Sequence, residues 1–146
     1  MARYFTHAEA QRMLPQVERL VRDALLHKAE FHQTEEELRR TQAQISMAGG
    51  TLVNIARVQS TRNRRDRSVA ALKQALEGIQ ETGALVKDLD IGLIDFMTLY
   101  QNREVCLCWK LGEDAIRFWH GPEEGFRGRK PIDDRFLAAH RGDPAH

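Results

Sequence analysis

Apolar residues in the first third of the chain recur at Val17, Leu20, Val21, Ala24, Leu25, Phe31, Leu38, Ile45 and Met47, the spacing of one face of a helix. Thr6 followed by Glu9 forms a capping box ahead of this run. Pro15 predicts a short N-terminal helix that ends there and a long helix for which Pro15 supplies the first turn. At about 1.5 Å per residue the long segment reaches on the order of 50 Å before it meets Gly49-Gly50. A second helical stretch begins near Thr51, carries Val69, Leu72, Leu76 and Ile79 as a seam, and ends at Gly83. Two glycines between long helices predict an antiparallel hairpin, in which Glu35-Glu36-Glu37 comes level with Arg62 to Arg65.

From Ala84 the period changes to two, in Val86–Phe96, Val105–Leu111 and Ala115–His120. Two-residue turns at Gln101-Asn102 and Glu113-Asp114 would align Ile94, Phe96 and Thr98 with Trp109, Leu107 and Val105, and Leu111, Trp109 and Leu107 with Ile116, Phe118 and His120. This register puts Ile94, Phe96, Leu107, Trp109, Leu111, Ile116 and Phe118 on a face that covers the helices. Leu93, Asp95, Met97, Cys106, Cys108, Lys110, Arg117 and Trp119 fall on the other. The tail from Gly121 reads as a loop able to fold over that second face, frayed after Ala139. The expected fold is α+β: a long antiparallel helical hairpin with a short N-terminal helix, packed on a β-meander of three to four strands. It forms one domain over 1–146, with the hairpin at 6–83, the meander at 84–121 and the loop and tail at 122–146.

Composition narrows the class without naming a job. With 146 residues the chain can bury a core without disulfides, and 22 basic against 21 acidic residues leave +1, so any polyanionic partner needs a local patch. No apolar run has the length of a signal peptide or a membrane span, which implies a cytoplasmic protein. Cys106 and Cys108, two residues apart in a strand, are expected as reduced thiols.

Several motifs resemble a prokaryotic family catalogued as domain of unknown function 2203. They are Phe5-Thr6, Glu9-Ala10, Leu14-Pro15, the run Val86 to Phe96, Leu107-Cys-Trp-Lys-Leu-Gly-Glu113, Trp119-His120, Gly125-Phe126 and Gly128-Arg129, within residues 4–132. Met97 and Cys106 depart from the family pattern, which often has a proline and an aromatic there. The resemblance implies an architecture and no mechanism.

Function is therefore argued from residues. The run Arg57, Arg62, Arg64, Arg65, Arg67 has no aromatic neighbour between Phe31 and Phe96, so pairing with the hairpin glutamates explains it better than nucleic acid does. The predicted register places Cys106, Cys108 and Asp95 on one face and His120 on the other, which separates thiol from imidazole and argues against an enzyme. It leaves a divalent-metal reading on His120 with Asp88, Asp90 and Glu123. Asp95, Arg117, Trp119, Arg127 and Arg129 form a candidate small-anion site between sheet and tail. Long helices and the apolar second sheet face rank a homo-oligomeric scaffold without catalytic activity first, and an anion- or metal-binding module second. No cofactor is assigned.

Overall fold

The computed structural model describes residues 3–47 and 55–144, so the Gly49-Gly50 turn and the expected helix start at Thr51 lie outside the described residues. The capping box forms as expected: Thr6 N donates to Glu9 Oε1 at 2.9 Å and Glu9 N to Thr6 Oγ1 at 3.1 Å. From it runs α1 (His7–Met47), a single helix. The predicted break at Pro15 is a correction. Ala10, Leu14, Val17, Val21 and Ala24 are all buried, an apolar stripe that passes the proline without losing phase, and the Pro15 ring points to solvent. Continuous burial on one face outweighs the loss of one backbone hydrogen bond. α2 (Ile55–Thr82) ends at Gly83, whose φ of 94° suits glycine.

The chain divides into two compact units, one of Arg22–Leu76 and one of Met1–Val21 with Glu77–His146. In the first, the hairpin unit, the buried positions are Ala24, Thr34, Thr61, Ser68 and Ala75, whereas Val69, expected in the seam, is 46% exposed. The most buried positions of α2 in this unit are thus the small residues at 61, 68 and 75, a heptad step, while of the expected stripe Leu72 and Leu76 are half-buried and Ile79, in the other unit, is fully buried. Each hydroxyl is satisfied on its own helix: Thr34 by the Phe31 carbonyl at 2.8 Å, Thr61 by Arg57 at 3.1 Å and Ser68 by Arg64 at 3.0 Å. The expected cross-hairpin ion pairs form, Arg64 with Glu37 at 2.5 Å and Arg65 with Glu35 at 3.6 Å.

The second, the sheet unit, holds an antiparallel sheet of β1 (Leu85–Asp88), β2 (Leu93–Tyr100), β3 (Arg103–Lys110), β4 (Phe118–His120) and β5 (Lys130–Pro131) in that order, with β6 (His140–Arg141) also beside β2. The first hairpin has the register read from sequence, Ile94 opposite Trp109, Phe96 opposite Leu107 and Thr98 opposite Val105. Its turn residues Gln101 and Asn102 both have positive φ, 54° and 61°, the geometry of a tight two-residue hairpin. Ile94, Phe96, Thr98, Leu107 and Trp109 have no exposed surface, and Phe5 meets Phe96 edge-on at 5.2 Å.

The second hairpin differs from its expected register by one residue: Cys106 faces His120, Leu107 faces Trp119 and Cys108 faces Phe118. The cause lies in the connection, which is longer than the Glu113-Asp114 turn. Glu113 closes the end of β3 by accepting from Lys110 N at 2.7 Å and from Trp109 Nε1 at 2.9 Å. Ile116 is then pinned to α1, its N donating to Gln11 Oε1 at 2.9 Å and its carbonyl accepting from His7 Nε2 at 2.7 Å. Pairing resumes only at Phe118, and the odd offset turns every later side chain over.

The tail is ordered past Ala139, against expectation. Asp133 caps α3 (Asp134–Ala139) through Phe136 N, and Phe136 stacks on Tyr100 at 4.7 Å and Trp119 at 4.9 Å. β6 follows, and Asp143 N donates to the Tyr4 carbonyl at 3.0 Å. Gly142 permits this approach, since a Cβ there would stand 2.8 Å from Thr6 N. No helix among the described residues is long and apolar enough to cross a membrane.

Candidate metal centre

The corrected register assembles what the sequence reading had divided. On one face of the sheet, two rows of cross-strand neighbours run over β2, β3 and β4: Met97, Cys106 and His120 in one, Asp95, Cys108 and Phe118 in the other. Alternation along each strand forces these six side chains onto a common face. Asp95, Cys106, Cys108 and His120 are all buried, none more than 4% exposed.

His120 reaches diagonally across β3 to Asp95, Nε2 to Oδ1 at 3.1 Å. Its Nδ1 lies 2.7 Å from the Gly121 carbonyl, an atom that only accepts, so Nδ1 carries a proton and donates it there. Asp95 Oδ2, equally buried, makes no well-formed hydrogen bond among the described residues, although the weak S–H groups of Cys106 and Cys108 interact with the carboxyl. Such an atom is costly to desolvate and calls for a cation or a donor. Cys106 Sγ lies 3.6 Å from Met97 Sδ.

One ligand atom each from Asp95, Cys106 and His120 lies within 4.8 Å of the others. Tetrahedral ligands at metal–ligand distances of about 2.0 to 2.3 Å stand roughly 3.3 to 3.8 Å apart, so closure requires movements of about 1 Å. A histidine whose other ring nitrogen is fixed by a carbonyl is held in the tautomer and orientation that metal ligation needs. Burial, and secondarily the charge of Asp95, pushes the thiols of Cys106 and Cys108 up to about 12. In the protonated form thiols are weak nucleophiles.

Above this face, Arg129 donates to the Cys108 carbonyl at 3.1 Å and to Glu113 at 2.6 Å, with its guanidinium over the rings of Phe118 and Phe126. The other candidates named from sequence lie elsewhere. Arg117 pairs with Asp114 in an exposed loop, and Arg127 is exposed. Trp119 sits on the opposite sheet face, under Lys130 at 4.6 Å. The five members of the anion site are therefore not brought together. Of the metal candidates, Asp88 accepts from Asp90 N at 3.0 Å on the exposed end of β1, and Glu123 lines a cleft with Tyr100, Arg103 and Trp119. His120 instead meets Asp95 and Cys106, and Met97, read from sequence as part of the apolar second face and not as a ligand, is a neighbour.

A family model described as an uncharacterised conserved protein, DUF2203, matches residues 3–132, a span that includes every residue of this cluster. No curated protein and no solved structure matches the chain.

Proposed function

Taking as premise that this chain belongs to the domain of unknown function 2203 family, we propose that it is a metal-binding protein whose ion is held by Asp95, Cys106 and His120 on the buried sheet face. The observation that carries the reading is the convergence within 4.8 Å of a buried carboxylate, thiol and imidazole, with Asp95 Oδ2 lacking a well-formed hydrogen bond. The donor set of one carboxylate, one thiolate and one imidazole suits a transition-metal ion and not Ca2+ or Mg2+, which take oxygen ligands. Ligands from three adjacent strands would make metal binding a clamp on β2, β3 and β4.

Titration of the metal-free protein with Co2+ tests this. The expected result is one equivalent bound per chain, with a sulfur-to-cobalt charge-transfer band that disappears in Cys106→Ser and in His120→Ala. No band in the wild type, or a band indifferent to both substitutions, contradicts the assignment.

Self-association is a second reading, supported by a different observation. The helices of the hairpin unit expose Leu26 and Val69, together with Met47 at 89% and Ile55 at 79%. A dimer in native mass spectrometry that Leu26→Glu or Val69→Glu dissociates supports it; a monomer at micromolar concentration overturns it.

A further inference from the structure

The metal reading leaves the kind of ion open, and the row of cross-strand partners bears on it. Met97, Cys106 and His120 stand directly side by side on β2, β3 and β4, so a thioether, a thiol and an imidazole occupy one line across the sheet. The thioether is in contact with the thiol, Sδ to Sγ at 3.6 Å. Zinc sites are built from cysteine, histidine and carboxylate, whereas thioether sulfur joins the ligand sets of copper. Cys108, one step along the same strand and fully buried, adds a further sulfur to the surroundings.

We infer that the ion this centre selects is Cu(I), bound by Met97 Sδ, Cys106 Sγ and His120 Nε2. The inference rests on the metal-binding reading above. A soft monovalent ion prefers two sulfurs and a nitrogen to a carboxylate, and the Cys106 thiolate, its proton released to solvent on binding, already balances the ion's charge, so Asp95 is a neighbour and not a required ligand. Met97 suits the rim of such a site. It is half-buried where Cys106 and His120 are buried, and a thioether binds without releasing a proton.

The test is competition for Cu(I) between the metal-free protein and a colorimetric Cu(I) chelator under reducing, anaerobic conditions, run beside the Co2+ titration on the wild type, Met97→Leu and Cys106→Ser. The expected result is one Cu(I) per chain, held at least tenfold more weakly by Met97→Leu, with the Co2+ band of that variant unchanged. Leucine keeps the volume and removes the sulfur, so the split between the two ions separates ligation from packing. Equal Cu(I) affinity in wild type and Met97→Leu, with the Co2+ band intact, overturns the copper assignment and leaves the metal site standing. Loss of both ions from Met97→Leu also overturns it, because packing then explains the effect. Failure of the wild type to bind either ion overturns both readings.

Discussion

The two units bury different materials. The sheet unit encloses Phe5, Phe96, Leu107, Trp109 and Phe136, whereas the buried set of the hairpin unit is Ala24, Thr34, Thr61, Ser68 and Ala75. Their charges also differ in sign: the hairpin unit has ten basic and six acidic residues, the sheet unit twelve and fifteen. Large side chains interlock and tolerate little change, while small hydroxylated ones satisfied on their own helix ask little of a partner. The sheet unit can therefore hold ligands in fixed geometry, which is where Asp95, Cys106 and His120 stand. The hairpin unit has length and surface but no comparable interior.

The comparison breaks first, if it is wrong, at Trp109. Trp109→Ala should cost about 3 to 5 kcal/mol in urea unfolding, because a fully buried indole and its hydrogen bond to Glu113 are both lost. Next is Asp95→Ala in the metal-free protein, expected to cost roughly 3 kcal/mol by leaving His120 buried without its partner. Tm of the same variant should also stop responding to added Co2+, the ion whose ligand set includes Asp95.

A third test uses pH. The thiols of Cys106 and Cys108 are raised from 9.0 to about 12, so the unfolded chain loses these protons first as pH rises. Their contribution is fully present below about pH 9 and is lost between about 9 and 12. Denaturation midpoints should fall over that range, and the double variant Cys106→Ala/Cys108→Ala should flatten the slope. An unchanged slope would show that the thiols ionise freely in the folded state.

The hairpin unit should answer weakly. Arg64→Glu removes a partly exposed ion pair with Glu37 and places like charges together, for about 1 kcal/mol that rising salt reduces. Ser68→Ala should lie within about 0.5 kcal/mol of wild type, since alanine is the better helix former and the lost hydroxyl bonds chiefly to its own helix. A cost above about 2 kcal/mol at Ser68 would mean that its contact with Glu30 holds the hairpin together, and the contrast between units would narrow.

Much of the architecture was legible because local physics decides it. The capping box at Thr6 and Glu9, the helix stop at Gly83 and the register of β2 on β3 all follow from adjacent residues and alternation. The continuation of α1 past Pro15 was not, because tertiary burial on both sides of the proline overrides its local preference. The seam of the hairpin was legible in part: Leu72, Leu76 and Ile79 are at least half-buried, but Val69 is exposed and the small residues Thr61, Ser68 and Ala75, which carry no apolar signal of their own, are buried. The site was hidden by a single residue of register. The closure of β3 by Glu113 and the contacts of His7 and Gln11 with Ile116, the latter more than a hundred residues apart in sequence, accompany the late start of β4 that brings His120 to the side of Cys106. Gly112, with φ of 104°, was the local signal that the connection is no simple two-residue turn.

The central claim is that a metal ion sits between β2, β3 and β4. Its most direct test is an anomalous difference map at the metal edge from a crystal of metal-loaded protein. The account predicts one strong peak within about 2.3 Å of both Cys106 Sγ and His120 Nε2. A map with no peak on that face, or with peaks only at exposed carboxylates such as Asp88 and Glu123, would contradict it.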